Sequence, residues 1–359
     1  MERLVVGCMT GTSIDALDAA LVRVRGRGLE MTAEFVRGVT RPLGELAAPL
    51  RRLAEQGAMT AGEIASLSRE FSLLHVEAVR EAAGGEKIDL VCVHGQTVFH
   101  GPPASWQLLT PAVIAQGLGE GVAVVSDLRA ADLACGGQGA PITPIADWVL
   151  FRGVGDRGAV ANLGGFCNIT LLGAKGEGIE AVRAMDVCAC SQLLDAIARK
   201  LMNVPFDANG ERAAAGHVHT EAMEDLEGVL AAQAGSRRSL GTGDEVGEWI
   251  SRYRARVSGD DLAATACEGI AQTIAHKLDS CERLLLAGGG VRNAALVRAI
   301  GSCCSAVVET TDKHGVPAEF REAIEFAVLG ALCQDRVPIT LGAVTGVKAP
   351  PVAGTWVMP

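Results

Sequence analysis

The chain opens with Leu4-Val-Val-Gly-Cys-Met-Thr-Gly-Thr-Ser-Ile-Asp-Ala-Leu-Asp18, a short apolar strand that runs into a turn rich in hydroxyl groups. The strand ends near Gly7 and the return segment covers Ala16–Val24, so this stretch predicts a β-hairpin. Asn162-Leu-Gly-Gly-Phe-Cys-Asn168 lies at the centre of a second segment with the same order of strand, glycine-containing turn and strand. Two similar hairpins, each opening one half of the chain, predict a duplicated domain.

Further apolar runs have the length of buried strands and end in polar or glycine residues. They cover 88–93, 122–125 and 283–287. Helical spacing of apolar residues lies between the runs, most clearly over 60–83, and recurs after them over 319–332. Strands that alternate with helices predict the α/β class. In that class, the polar ends of buried parallel strands are the usual place for an active site.

The composition argues against several classes of function. The 359 residues carry a formal net charge of −10, which disfavours general affinity for nucleic acid or for an anionic membrane. No apolar run approaches the roughly twenty residues of a membrane span, and Met1 leads straight into a strand without a secretory segment. The 11 cysteines are scattered without zinc-ligand spacing, which indicates reduced thiols. We therefore expect a soluble, cytoplasmic protein of two domains.

A phosphate site in this chain must use backbone amides and hydroxyls, because the sequence has no Walker A motif and no protein-kinase signature. The first hairpin turn offers a glycine among three hydroxyls, at Thr10, Gly11, Thr12 and Ser13. The glycine lets an anion approach the backbone, and the amides and hydroxyls can donate to it. Asp15 and Asp18 follow on the return strand, where a carboxylate can hold Mg²⁺ through water. The alternative interpretation is an ordinary turn with solvated carboxylates.

Two further glycine turns can contribute to a nucleotide site. One follows Asn162 in the second hairpin and contains Gly164 and Gly165; its alternative interpretation is a tight hairpin without a ligand. The other joins a strand to a helix and comprises Gly288, Gly289, Gly290 and Asn293. Glycines there let a flat ligand such as adenine lie on the backbone, and a helix N-terminus favours anionic groups. Three such elements in one chain predict nucleotide binding.

Motifs across nearly the whole chain resemble those of one family. Gly7-Cys-Met-Thr-Gly-Thr-Ser-Ile-Asp-Ala-Leu-Asp18 resembles G-x-M-S-G-T-S-x-D-G-x-D, and His94-Gly-Gln-Thr-Val-Phe-His100 resembles H-G-Q-T-x-x-H. Asp127-Leu-Arg-Ala-Ala-Asp-Leu-Ala-Cys-Gly-Gly-Gln-Gly-Ala-Pro141 resembles D-F-R-x-x-D-x-A-x-G-G-Q-G-A-P. Further matches cover 162–168, 194–195, 288–293, 311–312 and 322–327. By these motifs, the chain is similar to the anhydro-N-acetylmuramic acid kinases.

The resemblance implies an α/β, two-domain actin-like (ribonuclease H-like) ATPase fold with duplicated domains and a central cleft. Residues 1–137 plus 338–359 are expected to form the N-terminal domain, with the first phosphate hairpin and part of the sugar site. Residues 138–337 are expected to form the C-terminal domain, with the second phosphate hairpin, the adenosine motif and the catalytic Asp. The implied cofactors are ATP and Mg²⁺, with Asp15 and Asp18 as candidate magnesium ligands.

The family opens a 1,6-anhydro ring with water and transfers the γ-phosphoryl group of ATP to O6, in peptidoglycan recycling. An ether oxygen has no proton, so O6 accepts a phosphoryl group only as its bond to C1 breaks. Water must then be activated at C1, and a carboxylate suits that role. The family base lies in F-D-T-G-P-G-N, which matches Met185-Asp-Val-Cys-Ala-Cys-Ser191, so Asp186 is the candidate base. The alternative is that Asp186 caps the helix that follows.

The residues after Asp186 depart from the family pattern. T-G-P-G-N is absent, and Val187 and Cys190 restrict backbone conformations that glycines leave accessible. The expected acceptor is 1,6-anhydro-N-acetylmuramic acid. Two alternatives stay open: a kinase for a different (anhydro)sugar, and a nucleotide-binding homologue without turnover.

The resemblance also assigns side chains to the sugar, namely Gln96, His100, Arg129, Asp132 and Glu322. A guanidinium and a carboxylate can each pair with hydroxyls or a carboxylate. The alternatives are an ion pair between Arg129 and Asp132, and an exposed helix carboxylate at Glu322. His94 is interpreted as a satisfied core residue. The expected partner is a small-molecule sugar, and a homodimer is an expected assembly because family members are often dimers.

Overall fold

The computed structural model describes residues 1–119, 121–234, 245–278 and 280–358. Two compact units make up the chain. The first unit comprises Met1–Arg152, Gly178–Arg183 and Gly315–Pro359, and the second comprises Gly153–Glu177 and Ala184–His314. Within the described ranges, every helix is too short or too polar to cross a lipid bilayer.

A six-stranded sheet forms the centre of the first unit, in the order β13-β7-β4-β1-β2-β3. The strands of this unit are β1 (Glu2–Thr10), β2 (Ala16–Arg25), β3 (Thr32–Pro42), β4 (Leu90–Val93), β7 (Ala123–Ser126) and β13 (Thr355–Val357), with a separate hairpin of β5 (Gln96–Gly101) and β6 (Ala104–Leu108). The hairpin predicted for the opening residues is confirmed, since β1 and β2 pair antiparallel. β1 also pairs in parallel with β4, and β4 with β7.

Helices cover the faces of this sheet. They are α1 (Ala47–Ala54), α2 (Ala61–Ala83), α3 (Pro111–Leu118), α4 (Ala130–Ala134), α5 (Pro144–Phe151), α12 (Arg321–Gln334) and α13 (Gly342–Thr345). The predicted helix over 60–83 is confirmed as α2, which begins with a reciprocal capping box between Thr60 and Glu63. α12 lies against β1 and β4, so a helix from the end of the chain completes the core of the first unit.

The boundaries of the units differ from the expected ones, because 138–152 and 315–337 belong to the first unit. A buried ion pair joins these segments: Arg321 of α12 donates to both carboxylate oxygens of Asp147 of α5, each at 2.6 Å. The two side chains are 2% and 0% exposed. Separating such a pair would leave an uncompensated charge in the interior. The glycine- and proline-rich segment 136–144 is therefore a loop inside the first unit.

The second unit repeats the arrangement of the first. Its strands are β8 (Arg157–Leu163), β9 (Phe166–Ala174), β10 (Arg183–Ala189), β11 (Arg283–Ala287) and β12 (Val307–Thr310). They lie in the order β10-β9-β8-β11-β12, which matches β3-β2-β1-β4-β7. In the first unit, β1 pairs antiparallel with β2 and parallel with β4. In the second unit, β8 pairs antiparallel with β9 and parallel with β11 in the same way. The predicted duplication is confirmed.

Helices of the second unit are α6 (Ser191–Ile197), α7 (Glu211–Ala215), α8 (Thr220–Ala234), α9 (Glu245–Tyr253), α10 (Gly259–Ala275) and α11 (Ala294–Cys303). α6 continues directly into a π-helix over Ala198–Met202. Sequence analysis did not predict β3. Its residues are exposed or only partly buried, as in an edge strand, so they lack the apolar run that marked the central strands.

Candidate active site

The first hairpin turn is open to a ligand. The amide of Ile14 donates to the carbonyl oxygen of Gly11 at 3.2 Å, which closes the turn. A Cβ placed on Gly11 would meet no atom nearer than the Ser13 hydroxyl, at 3.8 Å. Thr10 is only 2% exposed, and its hydroxyl has no hydrogen-bond partner among the residues that the structure describes. A buried hydroxyl in this position fits a ligand oxygen, since buried polar groups are nearly always paired.

Arg51 is a residue of this turn that sequence analysis missed. Its guanidinium donates to the carbonyl oxygens of Ser13, at 3.1 Å, and Ile14, at 2.8 Å. Ile14 has φ of 49°, a left-handed conformation that is uncommon for a β-branched residue. Arg51 thus supports an unfavourable turn and adds a positive charge beside it. Nothing in the sequence distinguishes it from Arg52, because only the fold brings α1 to the turn.

A group of carboxylates surrounds the start of β2. Burial raises the pKa of Asp18 to about 6 from its ordinary value of 3.8, partly offset by a hydrogen bond from Thr40. The charges of Glu322, Asp15 and Glu319 raise it further. Among the described residues, no group of three or more His, Cys, Asp or Glu is arranged as a metal site. Mg²⁺ commonly takes one or two carboxylates and completes its shell with water and phosphate, so the clustered negative charge fits such an ion.

Glu322 connects the phosphate and sugar candidates of the first unit. It lies at the start of α12, and its negative charge adds to the effect of burial in raising the pKa of Asp18. Burial raises the pKa of Glu322 itself, while the positive charges of Arg321 and Arg129 lower it. Glu322 is therefore not the exposed helix carboxylate of the alternative interpretation. The fold places Asp18, Glu322 and Arg129 in one neighbourhood.

Arg129 is held by two partners on different sides. Its Nε and Nη2 lie 3.3 and 3.1 Å from Nε2 of His94, and its Nη1 donates to the carbonyl oxygen of Gly139 at 2.7 Å. Burial lowers the pKa of Arg129 to about 10 from 12.5, while Glu322 opposes that change. His94 is a satisfied buried residue, as the sequence suggested, but its partner is a candidate sugar ligand.

Asp132 lies behind Arg129 and is fully buried. One carboxylate oxygen accepts from the amide of Gly139 at 2.8 Å, and the other accepts from the Thr345 hydroxyl at 2.9 Å. These contacts replace the ion pair with Arg129 that the alternative interpretation foresaw. A fully buried carboxylate cannot touch a sugar directly in this conformation. Asp132 instead fixes the loop whose Gly139 carbonyl receives Arg129.

Gln96 and His100 share the β5–β6 hairpin but differ in exposure. Gln96 is 3% exposed and donates to the carbonyl oxygen of Thr97 at 3.2 Å, so its side chain lies inside the unit. His100 is half-buried, with Nδ1 3.0 Å from the Ser105 hydroxyl. Burial and the charge of Arg129 lower the pKa of His100. Of the two, His100 is the better placed to meet a ligand.

The second hairpin turn is attached to the start of α6. The carbonyl oxygen of Gly165 accepts from the amides of Cys190, at 2.9 Å, and Gln192, at 3.1 Å. That of Gly164 accepts from the amide of Ser191 at 3.0 Å. The segment directly after Asp186 is therefore fixed to the glycine turn, and the two candidate features are held together within the second unit.

The third glycine turn packs on the end of β8. A Cβ on Gly288 would lie 2.6 Å from Oδ1 of Asn162, and one on Gly290 would lie 2.6 Å from Cβ of Leu163. Gly289 is exposed and has no atom within 4 Å of such a Cβ. Asn293 caps α11, since its side-chain oxygen accepts from the amide of Leu296 at 3.0 Å. The turn thus leaves one open face, at Gly289, for a flat ligand.

Asp186 lies inside β10 and is partly buried. The N-cap of α6 is Cys190, which excludes the alternative role of Asp186 as the cap. Val187, Cys188 and Cys190 are each 0% exposed and belong to the core of the second unit. The thiol of Cys188 is inert by its surroundings, because burial raises its pKa well above the ordinary value. The residues that differ from the family motif after Asp186 therefore pack in the core of the second unit.

The repeated strand order is that of the actin-like fold expected from the sequence, and the three glycine turns lie at the ends of its strands. The family model described as anhydro-N-acetylmuramic acid kinase matches residues 3–358. The chain belongs to the anhydro-N-acetylmuramic acid kinase family.

Two relatives that carry the family name and one solved structure illustrate what the chain is similar to. The anhydro-N-acetylmuramic acid kinase of Bordetella pertussis is 35% identical over 373 residues, which cover 98% of this chain and 95% of that protein. That of Salinibacter ruber is 32% identical over 387 residues, covering 100% and 97%. The crystal structure of component A of the Acidaminococcus fermentans (R)-2-hydroxyglutaryl-CoA dehydratase aligns with a TM-score of 0.45 at 13% identity, covering 92% of this chain and 98% of that one.

Proposed function

We propose that the protein is an ATP-dependent kinase of 1,6-anhydro-N-acetylmuramic acid. Water adds at C1 as the C1–O6 bond breaks, and O6 takes the γ-phosphoryl group, so the products are the 6-phosphosugar and ADP. The observation that carries the proposal is the position of Glu322, near both Asp18 of the phosphate hairpin and Arg129 of the sugar set. The family membership supplies the identity of the sugar.

Residues of the glycine turns bind ATP in this proposal. In the first unit, the open turn at Gly11 and the buried hydroxyl of Thr10 fit phosphate oxygens. In the second unit, the exposed Gly289 fits the adenosine part, and the turn at Gly164 and Gly165 fits a phosphate. Asp15 or Asp18 would hold Mg²⁺ in this proposal, and the bound ion would neutralise charge at the phosphates.

Asp186 is the proposed general base. Its carboxylate takes a proton from the water that attacks C1, so the new C1–O bond forms as O6 leaves. Because Val187, Cys188 and Cys190 point into the core, their difference from the family motif does not alter a sugar-facing surface. This favours retained activity on the family sugar over the alternatives of another acceptor or a protein without turnover.

Arg129 and Glu322 are proposed to bind the sugar. Arg129 presents charged donors from a partly buried guanidinium that His94 and Gly139 hold in place, and such donors make strong paired bonds with a carboxylate or two hydroxyls. His100 lies within reach of the charge of Arg129, so it is proposed to contact the same substrate.

A coupled ADP-release assay tests the proposal directly. Purified protein is supplied with ATP, Mg²⁺ and a panel containing 1,6-anhydro-N-acetylmuramic acid, its ring-opened counterpart and ordinary hexoses. Turnover with the anhydro sugar and recovery of its 6-phosphate are expected. Turnover only with another sugar, or nucleotide binding without any turnover, would contradict the proposal.

A further inference from the structure

We infer that His94 is a positioning residue: as a neutral acceptor it sets the orientation of Arg129 for sugar recognition. The inference rests on the proposed function for its kinetic consequence. Its structural part stands on the contacts of His94 itself.

The ring of His94 has a defined partner at each nitrogen. Nδ1 lies 2.8 Å from the carbonyl oxygen of Gly95, an atom that can only accept, so Nδ1 carries the proton. Nε2 lies 3.1 Å from Nη2 of Arg129, an atom that can only donate, so Nε2 is the acceptor. The face of the ring packs against Phe326 of α12, with centroids 4.9 Å apart. The ring therefore cannot rotate without losing all three contacts.

The surroundings of His94 keep it uncharged. It is 5% exposed, and burial lowers its pKa to about 3 from 6.5. The positive charge of Arg129 acts in the same direction, and His100 and His75 add smaller effects. A protonated ring would also lose the lone pair that Arg129 needs. His94 therefore remains an acceptor across the pH range of any ordinary assay.

Hydrogen bonds to His94 and to Gly139 fix the orientation of the Arg129 guanidinium. His94 takes Nε–H and one N–H of Nη2, and the Gly139 carbonyl takes one N–H of Nη1. A guanidinium has five N–H donors, so one donor remains on each terminal nitrogen. Two neighbouring donors in one plane suit a paired acceptor on a ligand. Without His94, the guanidinium could turn about its side chain and lose this alignment.

The kinetic test compares His94→Leu with His94→Gln. The leucine variant removes the acceptor, and we expect the sugar KM to rise about tenfold or more, the range of a lost charged hydrogen bond, while the ATP KM is unchanged. The glutamine variant can return an amide oxygen near the position of Nε2, so we expect it to recover much of the sugar KM. An unchanged sugar KM in the leucine variant, or no recovery with glutamine, would overturn the inference.

His75→Leu is the matched control. His75 is equally buried in the first unit, and its Nδ1 donates to the Phe71 carbonyl oxygen at 2.8 Å. The substitution removes a buried histidine whose hydrogen bond is to Phe71 and not to Arg129. We expect lower stability with an unchanged sugar KM. An equal rise in sugar KM for His75→Leu would show that the effect is general and would overturn the assignment.

A spectroscopic test needs no sugar and no turnover. In ¹⁵N-labelled protein at pH 7, we expect the His94 side chain to show the neutral Nδ1–H tautomer, with its signals assigned by their loss in His94→Gln. The Nε2–H tautomer or a charged ring would overturn the inference, even if the leucine variant fails to fold. Absence of wild-type turnover would instead contradict the proposed function and leave the tautomer result standing.

Discussion

Gly7 of β1 and Ala323 of α12 lie so close that a Cβ added to Gly7 would come within 2.0 Å of the Ala323 carbonyl oxygen. The same Cβ would lie 2.4 Å from the amide nitrogen of Ala327. Both atoms belong to backbone, which cannot move aside as a flexible side chain can. Gly7 therefore sets how closely α12, with Glu322 at its start, approaches the strand that carries the phosphate turn.

Gly7 and Gly11 are expected to respond differently to substitution. Gly11→Val should leave the fold intact, because its added atoms face open space, but should raise the ATP KM by about tenfold or more by intruding on the phosphates. Gly7→Ala should destabilise the protein by roughly 1–3 kcal/mol or more through overpacking. Thermal unfolding and nucleotide titration of both variants check this. Unchanged nucleotide affinity in Gly11→Val would remove this turn from the ATP site.

A second glycine pair tests the third turn in the same way. Gly289→Val adds atoms where no neighbour lies within 4 Å, so we expect weaker nucleotide binding at wild-type stability. Gly290→Ala places a Cβ 2.6 Å from Cβ of Leu163, so we expect a lower unfolding temperature. Isothermal titration with ADP and thermal unfolding separate the two effects. Wild-type ADP affinity in Gly289→Val would place adenosine elsewhere.

Asp186→Asn should abolish turnover while ATP binding is retained. The amide is nearly isosteric but cannot accept the proton of the attacking water, and loss of a general base typically costs about 10²–10⁴-fold in rate. Single-turnover kinetics and ADP titration of the same sample provide the measurement. Wild-type rates in this variant would exclude Asp186 from the mechanism.

Arg51→Met should impair ATP use, because it removes the guanidinium that holds the Ser13 and Ile14 carbonyl oxygens. A rise of about tenfold in the ATP KM is expected from the loss of charged hydrogen bonds, with a smaller rise for Arg51→Lys. Arg52→Met is the control, since Arg52 bonds to Ala58 instead. Equal effects at Arg51 and Arg52 would refute a specific role at the turn.

Acid should destabilise the protein through His75. Burial lowers the pKa of His75 to about 4, whereas an unfolded chain titrates near 6.5. The unfolded state therefore binds more protons between about pH 4 and 6.5, and the free energy of unfolding falls as the pH drops through this window. One such group contributes a slope of up to about 1.4 kcal/mol per pH unit. Urea unfolding at several pH values should show a shallower slope in His75→Leu; an identical slope would contradict the assignment.

Local sequence patterns anticipated the elements that have a strong local signal. The opening hairpin and its counterpart at β8–β9 followed from apolar runs and glycine turns, and helix α2 followed from the helical spacing of its apolar residues. β3 and the π-helix over Ala198–Met202 were not predicted, because an edge strand buries little apolar surface and five residues of π-helix are too few to show a spacing of their own. The expected domain boundary between residues 137 and 138 differs from that of the two units, because a loop inside a domain and a boundary between domains can have the same glycine- and proline-rich composition.

Local sequence patterns have the same limit when they are used to assign single residues of the candidate site. Gly11 and Asp186 were predicted as site residues from motifs, since their residue types fit the chemistry, and these assignments stay predictions. Arg51 was missed and Asp132 was assigned to the sugar, because nothing in a motif says which side chain faces solvent. The structure places Arg51 beside the turn and buries Asp132 behind Arg129.

The sequence by itself determined the order of strands and turns, the repeat of that order and the family, since these are written in local spacing and motif. The tertiary structure alone decided the partner of each arginine: Arg129 contacts His94, Arg321 contacts Asp147, and Arg51 contacts the carbonyl oxygens of the first turn. The members of these pairs are far apart in the sequence or belong to no common motif. Whether they contact each other depends on distances of a few ångströms that the packing of the core sets. Local spacing carries no information about those distances, because they are fixed only when the core has formed.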